Sequence, residues 1–465
     1  MALAIVIILL VVGSLLFHFL SPWWFTPVAS NWGSIDTTVN ITFWITGLVF
    51  VAVNSFLAYC IIRYRHKKDS RAHYEPENKK LEVWLVVITS IGVASMLAPG
   101  LFVWAKFVEV PEGAAEVEAV GQQWRWSYRL PGQDGIFGTV DVKHMDDLNP
   151  FGLNPDDPNG RDDVLVNSGE LHLPINKPVK VLLRSKDVLH NFTVPQFRIK
   201  MDLVPGMVTY MWLTPTRTGE FDVLCEELCG LAHFAMRSKV VVDGEADYQN
   251  WLASQPTFDD IFFNAPYVNN ETGRTLYAIC ASCHGAKGEG NVALNAPKLS
   301  EQNSDYIEHQ LRQFKNGGRG AHENDLYGKQ MAAMTAALTS DAAIRDVAGY
   351  IGIIRLSVDE TGLPVIPDST PAEETISGDI DNGRRLYATC AACHGQNGRG
   401  IWSGFAPRLS GIDDWYLVRQ LKNFKEGVRG THPADTRGKQ MAMLSVMLRD
   451  DQAINDVVAY INTLQ

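Results

Sequence analysis

Residues 225 to 236 read CEELCGLAHFAM, placing two cysteines, a histidine and a methionine within twelve positions. No helical or strand period explains why they should cluster there for packing. Cys225 and Cys229 are followed by His233 and Met236, and a second histidine, His190, stands upstream in DVLHNFTVP. Thiolates, imidazoles and a thioether form a soft to intermediate donor set that suits copper, whereas zinc takes four strong ligands and has little use for methionine. A single blue copper needs one cysteine, but two cysteines on one loop can bridge two ions. A structural zinc or a disulfide is the plainer alternative for the same residues.

The chain also contains C-x-x-C-H twice, as Cys280, Cys283, His284 and as Cys390, Cys393, His394. Two thiols one helical turn apart can add to both vinyl groups of one haem, and the adjacent histidine then falls under the ring to bind iron. A redox dithiol or half a zinc site could use one such motif; two copies, each with its histidine, favour haem. The motifs belong to an internal repeat. NGRRLYATCAACHGQNGRG follows TGRTLYAICASCHGAKGEG, and APRLS, QLKNF, GKQMA and DVVAYI follow APKLS, QLRQF, GKQMA and DVAGYI, all at one offset of 110 residues without a gap. Each copy should fold as one helical unit. Methionine sulfur is a common second axial ligand in electron-transfer haems. Only Met331 and Met441 are equivalent under the repeat, because Met334 pairs with Leu444, and Met443 and Met447 pair with Ala333 and Ala337.

Something must hold these residues at a membrane. No Asp, Glu, Lys or Arg occurs from Met1 to Ile35, from Val39 to Ile62 or from Val83 to Ala105, and each stretch is long enough to span hydrocarbon at about 20 residues. The segment 63–80 carries seven Lys/Arg against three Asp/Glu, so the positive-inside rule places it in the cytoplasm and everything after the third span on the outer side. The first stretch is either a retained helix or, with PVAS as a loose cleavage site, a signal peptide. The net charge of -11 and pI near 5.6 exclude nucleic acid as a partner, since phosphate binding needs a basic surface.

From Ala114 to Gly244 short runs such as KPVKVLLRS, MVTYMWLT and RSKVVVDG read as strands of a small antiparallel sandwich. They are interrupted by a polar, turn-rich surface insertion at 144–163. The segment VDETGLPVIPDSTPAEETIS between the repeats reads as an extended linker. The reading is a multidomain chain: a membrane anchor over 1–110 with two or three transmembrane α-helices, an all-β domain over 111–250, and two all-α domains over 251–360 and 361–465. Sequence proximity places the first repeat nearer than the second to the copper loop.

Residues 30 to 245 resemble subunit II of the haem-copper cytochrome c oxidases, through C-x-E-x-C-G-x-x-H-x-x-M at Cys225, Glu227, Cys229, Gly230, His233 and Met236, and through DVLH ahead of a VPG segment. Both repeats resemble class I cytochromes c, most closely the two-haem cytochromes of the four-type. The resemblance implies a cupredoxin-like sandwich holding a dinuclear copper A centre. In it His190 and His233 are terminal ligands, Cys225 and Cys229 bridge, Met236 is the weak ligand and Glu227 gives its carbonyl oxygen. The Glu227 side chain reaches a magnesium ion at the boundary with the catalytic subunit. It further implies two covalently attached haems c, with His284 and Met331 on one iron and His394 and Met441 on the other. GQQWRWSYRL looks like the family's aromatic stretch, in which Trp124 matches the point of electron entry. Glu82 in KKLEVW matches a glutamate at the mouth of a proton path.

On this resemblance the chain is the electron-entry subunit of a proton-translocating respiratory terminal oxidase in a bacterial inner membrane. It passes electrons from a periplasmic donor, such as cytochrome c or a quinol-cytochrome c reductase, through two haems and copper to subunit I, which reduces oxygen to water, alongside further membrane subunits. The small subunit of a copper A nitric oxide reductase and a non-enzymatic, membrane-tethered electron carrier are the alternatives.

Overall fold

The computed structural model describes residues 2–21, 26–66, 68, 71, 76–145, 149, 151–166, 169–262, 268–300, 302–354, 357–358, 364–365, 376–400, 406–433 and 435–464. Most of the segment read as the inter-repeat linker, and parts of the 63–80 loop and of the 144–163 insertion, lie outside the described residues.

The three uncharged stretches form α1 (Ala2–Leu20), α2 (Gly33–Arg63) and α3 (Lys79–Val108), each long and apolar enough to cross a membrane. A helix closes its own backbone hydrogen bonds, which hydrocarbon demands. The outer ends of α2 and α3 are tied to the β-domain. Asp36 in the first turn of α2 pairs with Arg198 through two oxygens, at 2.6 and 2.9 Å, and Trp212 and Tyr210 donate to the carbonyls of Lys106 and Val108 at the end of α3. Ala29 and Trp32, just before α2, are buried against that domain. Helices of about 30 residues are about 45 Å long, so the basic loop lies at the far end, as the charge distribution requires.

The β-domain contains β1 (Ala115–Gln122), β2 (Arg125–Leu130), β3 (Val164–Val166), β4 (Glu170–Pro174), β5 (Val179–Ser185), β6 (His190–Val194), β7 (Ile199–Leu203), β8 (Thr209–Leu213), β9 (Gly219–Leu224) and β10 (Arg237–Asp243). They make two five-stranded sheets, ordered β3-β2-β1-β5-β8 and β4-β10-β9-β6-β7. Alternating side chains such as Val179, Val181 and Leu183 on β5 and Phe221 and Val223 on β9 fill the space between them, the period-two pattern of a sandwich. The expectation of an all-antiparallel sandwich needs correction, since β1 pairs with β5 and β4 with β10 in parallel; such partners are distant in the chain, where strand periodicity is silent. The 144–163 insertion is also more than a surface loop. Its Phe151 and Leu153 are fully buried beside Val120, Leu165 and Phe258, two apolar anchors inside an otherwise turn-rich sequence.

After β10 the chain forms α4 (Glu245–Ser254) and α5 (Phe258–Phe262), and then the repeats. The first holds α6 (Asn270–His284), α7 (Ser304–Lys315), α8 (Leu326–Thr335) and α9 (Asp341–Ile353); the second holds α10 (Ile380–His394), α11 (Asp414–Lys425), α12 (Thr436–Ser445) and α13 (Asp451–Asn462). In each, the first and last helices cross at a glycine. A methyl on Gly273 would run into the Asp346 carbonyl, and one on Gly383 into that of Asp456. Substituting Gly383 with alanine should therefore cost about 1–3 kcal/mol through overpacking, read as a lower denaturation midpoint of the second repeat.

Candidate functional site

The loop 225–236 links β9 to β10, and the ladder pair Leu224 with Arg237 clamps its two ends. β6 joins the same sheet next to β9 through Thr193 and Leu224, which brings His190, 35 positions upstream in the sequence, beside the cysteines. The Cys225 and Cys229 sulfurs are 3.7 Å apart. His190 Nδ1 is 3.9 Å from Cys225 Sγ, His233 Nδ1 is 3.5 Å and Met236 Sδ 3.9 Å from Cys229 Sγ, and the Glu227 carbonyl lies 3.3 Å from Cys225 Sγ. Two donors sharing a transition ion, at about 2.3 Å for sulfur and about 2.0 Å for nitrogen in tetrahedral array, lie roughly 3.5–3.8 Å apart. The residues therefore fit metal binding, and two thiolates with one imidazole each fit a pair of ions. Among the described residues, His190, Cys225 and Cys229 are the one metal-capable group of three or more His, Cys, Asp or Glu. A disulfide is absent, since both cysteines are free thiols.

The electrostatics favour a thiolate here. Burial opposes ionisation of Cys225, but its hydrogen bonds, chiefly with His190, bring it down to about 6. Burial and the charge on Cys225 push Cys229 up to about 12. Asp187, which the sequence reading did not single out, orients the site: its carboxylate holds His190 Nε2 at 2.7 Å and accepts from the Gln123 amide at 2.7 Å, leaving Nδ1 toward the sulfurs. Burial opposes the charge on both partners of that pair, yet it is outweighed for Asp187 by the bonds from His190, Gln123 and Val188 together, which lower it, and for His190 by Asp187 and Cys225 together, which raise it. The loop is pinned from the other side as well. Gln123 Nε2 and Trp124 Nε1 both donate to the Cys229 carbonyl, at 2.6 and 3.2 Å. Gly230 has φ of +123°, and a Cβ there would come within 2.8 Å of Gln123 and 2.9 Å of Trp124, so glycine lets the loop and the tryptophan approach.

In the repeats, α6 and α10 each end on their C-x-x-C-H. Cys280, Cys283, His284 and Met331 line one cavity of about 420 Å³, with Ile307, Leu311 and Phe314 among its apolar walls. His284 Nδ1 lies 2.8 Å from the Pro297 carbonyl, and His394 Nδ1 2.8 Å from that of Pro407. This orientation leaves Nε2 of each ring for a metal, and burial holds both histidines below their ordinary pKa, in the neutral form a ligand needs. An apolar cavity with two thiols, a neutral imidazole and a thioether fits a covalently bound haem. The two prolines belong to the AP-x-L segments, so the structure gives that motif a physical reason. Met441 lies on α12 as Met331 does on α8.

The order expected from sequence proximity is reversed. Ala392, Met443 and Leu444 of the second repeat pack against the core that contains Trp124, Cys229 and Met236, α12 lies against the turn at His233, and the Cys393 thiol meets the Trp124 backbone. Among the described residues no first-repeat side chain joins that core. The reason lies in strand direction: β10 leaves the copper loop at Arg237 and runs seven residues away from it to Asp243, about 20 Å at 3.3 Å per residue, before the first repeat begins. Trp124 is only 7% exposed. Glu82 sits exposed in the first turn of α3, at the end remote from the sandwich.

A sandwich carrying a two-cysteine metal loop, followed by two C-x-x-C-H helical units and preceded by apolar helices, defines a membrane-anchored copper and haem electron carrier. Comparison with known proteins makes this specific. The family model described as cytochrome c oxidase subunit II, periplasmic domain, matches residues 115–244, and that of cytochrome c matches 270–353 and 380–465. The alternative cytochrome c oxidase subunit 2 of Bradyrhizobium diazoefficiens is 64% identical over 258 residues, 56% of this chain and 93% of that protein. Cytochrome c oxidase subunit 2 of Cereibacter sphaeroides is 29% identical over 240 residues, 49% of this chain and 77% of that protein. Among solved structures, cytochrome c4 from Pseudomonas stutzeri aligns at 26% identity and a TM-score of 0.33, covering 43% of this chain and 100% of that one.

The chain belongs to the cytochrome c oxidase subunit II family, in a form fused to two cytochrome c domains. It is accordingly a subunit of an oxidoreductase, the haem-copper oxidase complex, in which subunit II partners subunit I, and its domains imply copper A and haem c. Replacing Asp187 with asparagine should lower copper affinity 10- to 100-fold, the usual cost of losing a carboxylate behind a ligand histidine; competition with a chelator measures it.

Proposed function

We propose that this chain is the electron-entry subunit of a terminal cytochrome c oxidase of a bacterial inner membrane, taking electrons from a donor on the periplasmic side and delivering them to the subunit I that reduces oxygen to water. The observation that carries the reading is the seat of the second repeat on the copper loop. When bound, two haems c and a copper pair supply one-electron carriers with little need for rearrangement. The residues divide the work of holding them. Cys280 with Cys283, and Cys390 with Cys393, would tether the haems, and His284 with Met331, and His394 with Met441, would bind their irons. Cys225, Cys229, His190, His233, Met236 and the Glu227 carbonyl would hold the copper ions. The Glu227 side chain serves a magnesium ion at the boundary with subunit I, and Glu82 serves the cytoplasmic mouth of a proton path. The units that do this are 1–110, 111–250, 251–360 and 361–465, assembled with subunit I and further membrane subunits.

Trp124 takes its electron from the second repeat in this arrangement, because Ala392, Met443 and Leu444 cover its side of the sandwich. An external donor, such as cytochrome c or a quinol-cytochrome c reductase, then meets the first repeat. The repeat supports this placement. The positions equivalent to Ala392, Met443 and Leu444 are Ser282, Ala333 and Met334, all exposed, and Ile279 beside them is 47% exposed while its counterpart Thr389 is buried. One face is seated in the second copy and open in the first.

Purified complex supplied with reduced cytochrome c should consume oxygen; nitric oxide consumption without oxygen turnover would move the chain to a reductase. Replacing Ile279 and Met334 with aspartate should cut kcat/KM for a protein donor about tenfold, equivalent to about 1.4 kcal/mol, while leaving turnover with a small-molecule reductant intact. Equal loss with both reductants would contradict entry at the first repeat.

A further inference from the structure

Behind the copper loop, a second polar network runs from strand to strand across one sheet of the sandwich. His190, Phe192 and Val194 share one face of β6, where Phe192 and Val194 join the core, whereas Asn191 and Thr193 share the other. On that other face Asn191 Nδ2 donates to Asp202 Oδ1 at 2.6 Å, across a ladder pair that joins β6 to β7. The Thr193 hydroxyl donates to Asn191 Oδ1. The Glu226 carboxylate stands 3.4 Å from the same hydroxyl and 3.3 Å from Lys200 Nζ. The Asn191 backbone N–H meets the Cys225 sulfur.

This network differs from an ordinary wet sheet surface. Asn191 is 0% and Thr193 5% exposed, so their side chains must find partners within the protein. Asparagine is also a poor strand former, and apolar β-branched residues would fill the same face without needing partners. The two ends of the network abut metal donors in the chain: Asn191 follows His190, and Glu226 follows Cys225. The contacts therefore tie the segment that brings the histidine to the segment that brings the cysteine, independently of Asp187 and Gln123.

We propose that Asn191, Thr193 and Asp202 are positioning residues for the copper pair, bracing the backbone at 190–191 against that at 225–226 so that the Asn191 N–H keeps its hold on the Cys225 sulfur in both oxidation states. A thiolate that accepts a hydrogen bond gives less charge to its metal, which favours the reduced form. A slack brace therefore lowers the copper potential. The inference rests on the reading of His190 and the 225–236 loop as a copper pair.

The test is a spectroelectrochemical titration of the copper- and haem-loaded subunit in its complex, following the near-infrared copper band and the haem c bands separately. Asn191→Ala and Thr193→Val change no charge, and each should lower the copper midpoint while leaving both haem midpoints in place. Thr193→Ser, which keeps the hydroxyl, should match the wild type. Asp202 separates bracing from charge. Removing a nearby anion by itself raises the midpoint, so a fall in Asp202→Ala marks the brace, and Asp202→Asn, whose amide oxygen can still accept from Asn191, should show no fall. Unmoved copper midpoints in Asn191→Ala and Thr193→Val at full copper content, or a rise of equal size in both Asp202 variants, would overturn the proposal. Should Asn191→Ala or Asp202→Ala fail to assemble, the contrast of Thr193→Val with Thr193→Ser decides the matter alone. A wild-type complex without copper would bring down the copper reading and the proposal together, whereas full copper content with unmoved midpoints brings down the proposal alone.

Discussion

The Cys229 carbonyl, held by Gln123 and Trp124, is the point on which the functional half of the molecule turns. It lies in the middle of a twelve-residue loop that carries five of the six proposed metal donors, and a loop of that length with no strand of its own would otherwise sample many shapes. Two hydrogen bonds from the β1–β2 turn fix it from one side, and the ladder between Leu224 and Arg237 fixes its ends. The same turn is tied through the Gln123 amide to Asp187, and through Asp187 to His190. One short segment, residues 123–124, thus locks the histidine and the cysteines to a common frame. Trp124 faces the second repeat as well, so the element that fixes the metal site also touches that repeat.

The repeats show how one fold can occupy two settings in one chain. Their helices, crossing glycines and histidine-orienting proline carbonyls are the same. What differs is the face around the C-x-x-C-H helix. In the second repeat it carries Ala392, Met443 and Leu444 and is pressed against the sandwich; in the first it carries Ser282, Ala333 and Met334 and is exposed. Other faces of the two repeats are joined by reciprocal contacts, Arg319 donating to Tyr416 and Gln420 and Arg429 to Tyr306 and Gln310. An end-to-end arrangement follows, with the second repeat between the first and the copper loop.

Much of this was legible in the sequence, and what was not has a physical cause. Cys225, Cys229, His233 and Met236 lie within one loop, and Cys280 to His284 within one helical turn, so spacing alone displayed them. The three apolar helices and the orientation of the basic loop followed from charge. Asp187 stands in the DVLH segment, but its role was illegible because nothing in a single carboxylate three residues from a histidine says that the two side chains bond. The proline carbonyls that orient His284 and His394 were hidden because a backbone acceptor has no side chain to read. Sequence proximity misplaced the repeats because it ignores strand direction: β10 carries the chain away from the copper loop before the first repeat starts. The antiparallel sandwich was wrong in two pairings because parallel partners are joined over long stretches, and the insertion was underrated because Phe151 and Leu153 are two apolar residues among turn formers. The reversal of the repeats could have been suspected from the sequence, since Met443 and Leu444 make the second copy of that face more apolar than Ala333 and Met334 do.

The central claim is that the second repeat delivers electrons to the copper loop. It is tested most directly by mixing the oxidised, oxygen-free complex with a reduced donor protein and following the haem c bands and the near-infrared copper band in time. The account predicts that the haem bands respond first and the copper band follows, and that replacing Met443 and Leu444 with aspartate leaves haem reduction in place while slowing copper reduction. Copper reduction ahead of the haems, or at an unchanged rate in that variant, would contradict it.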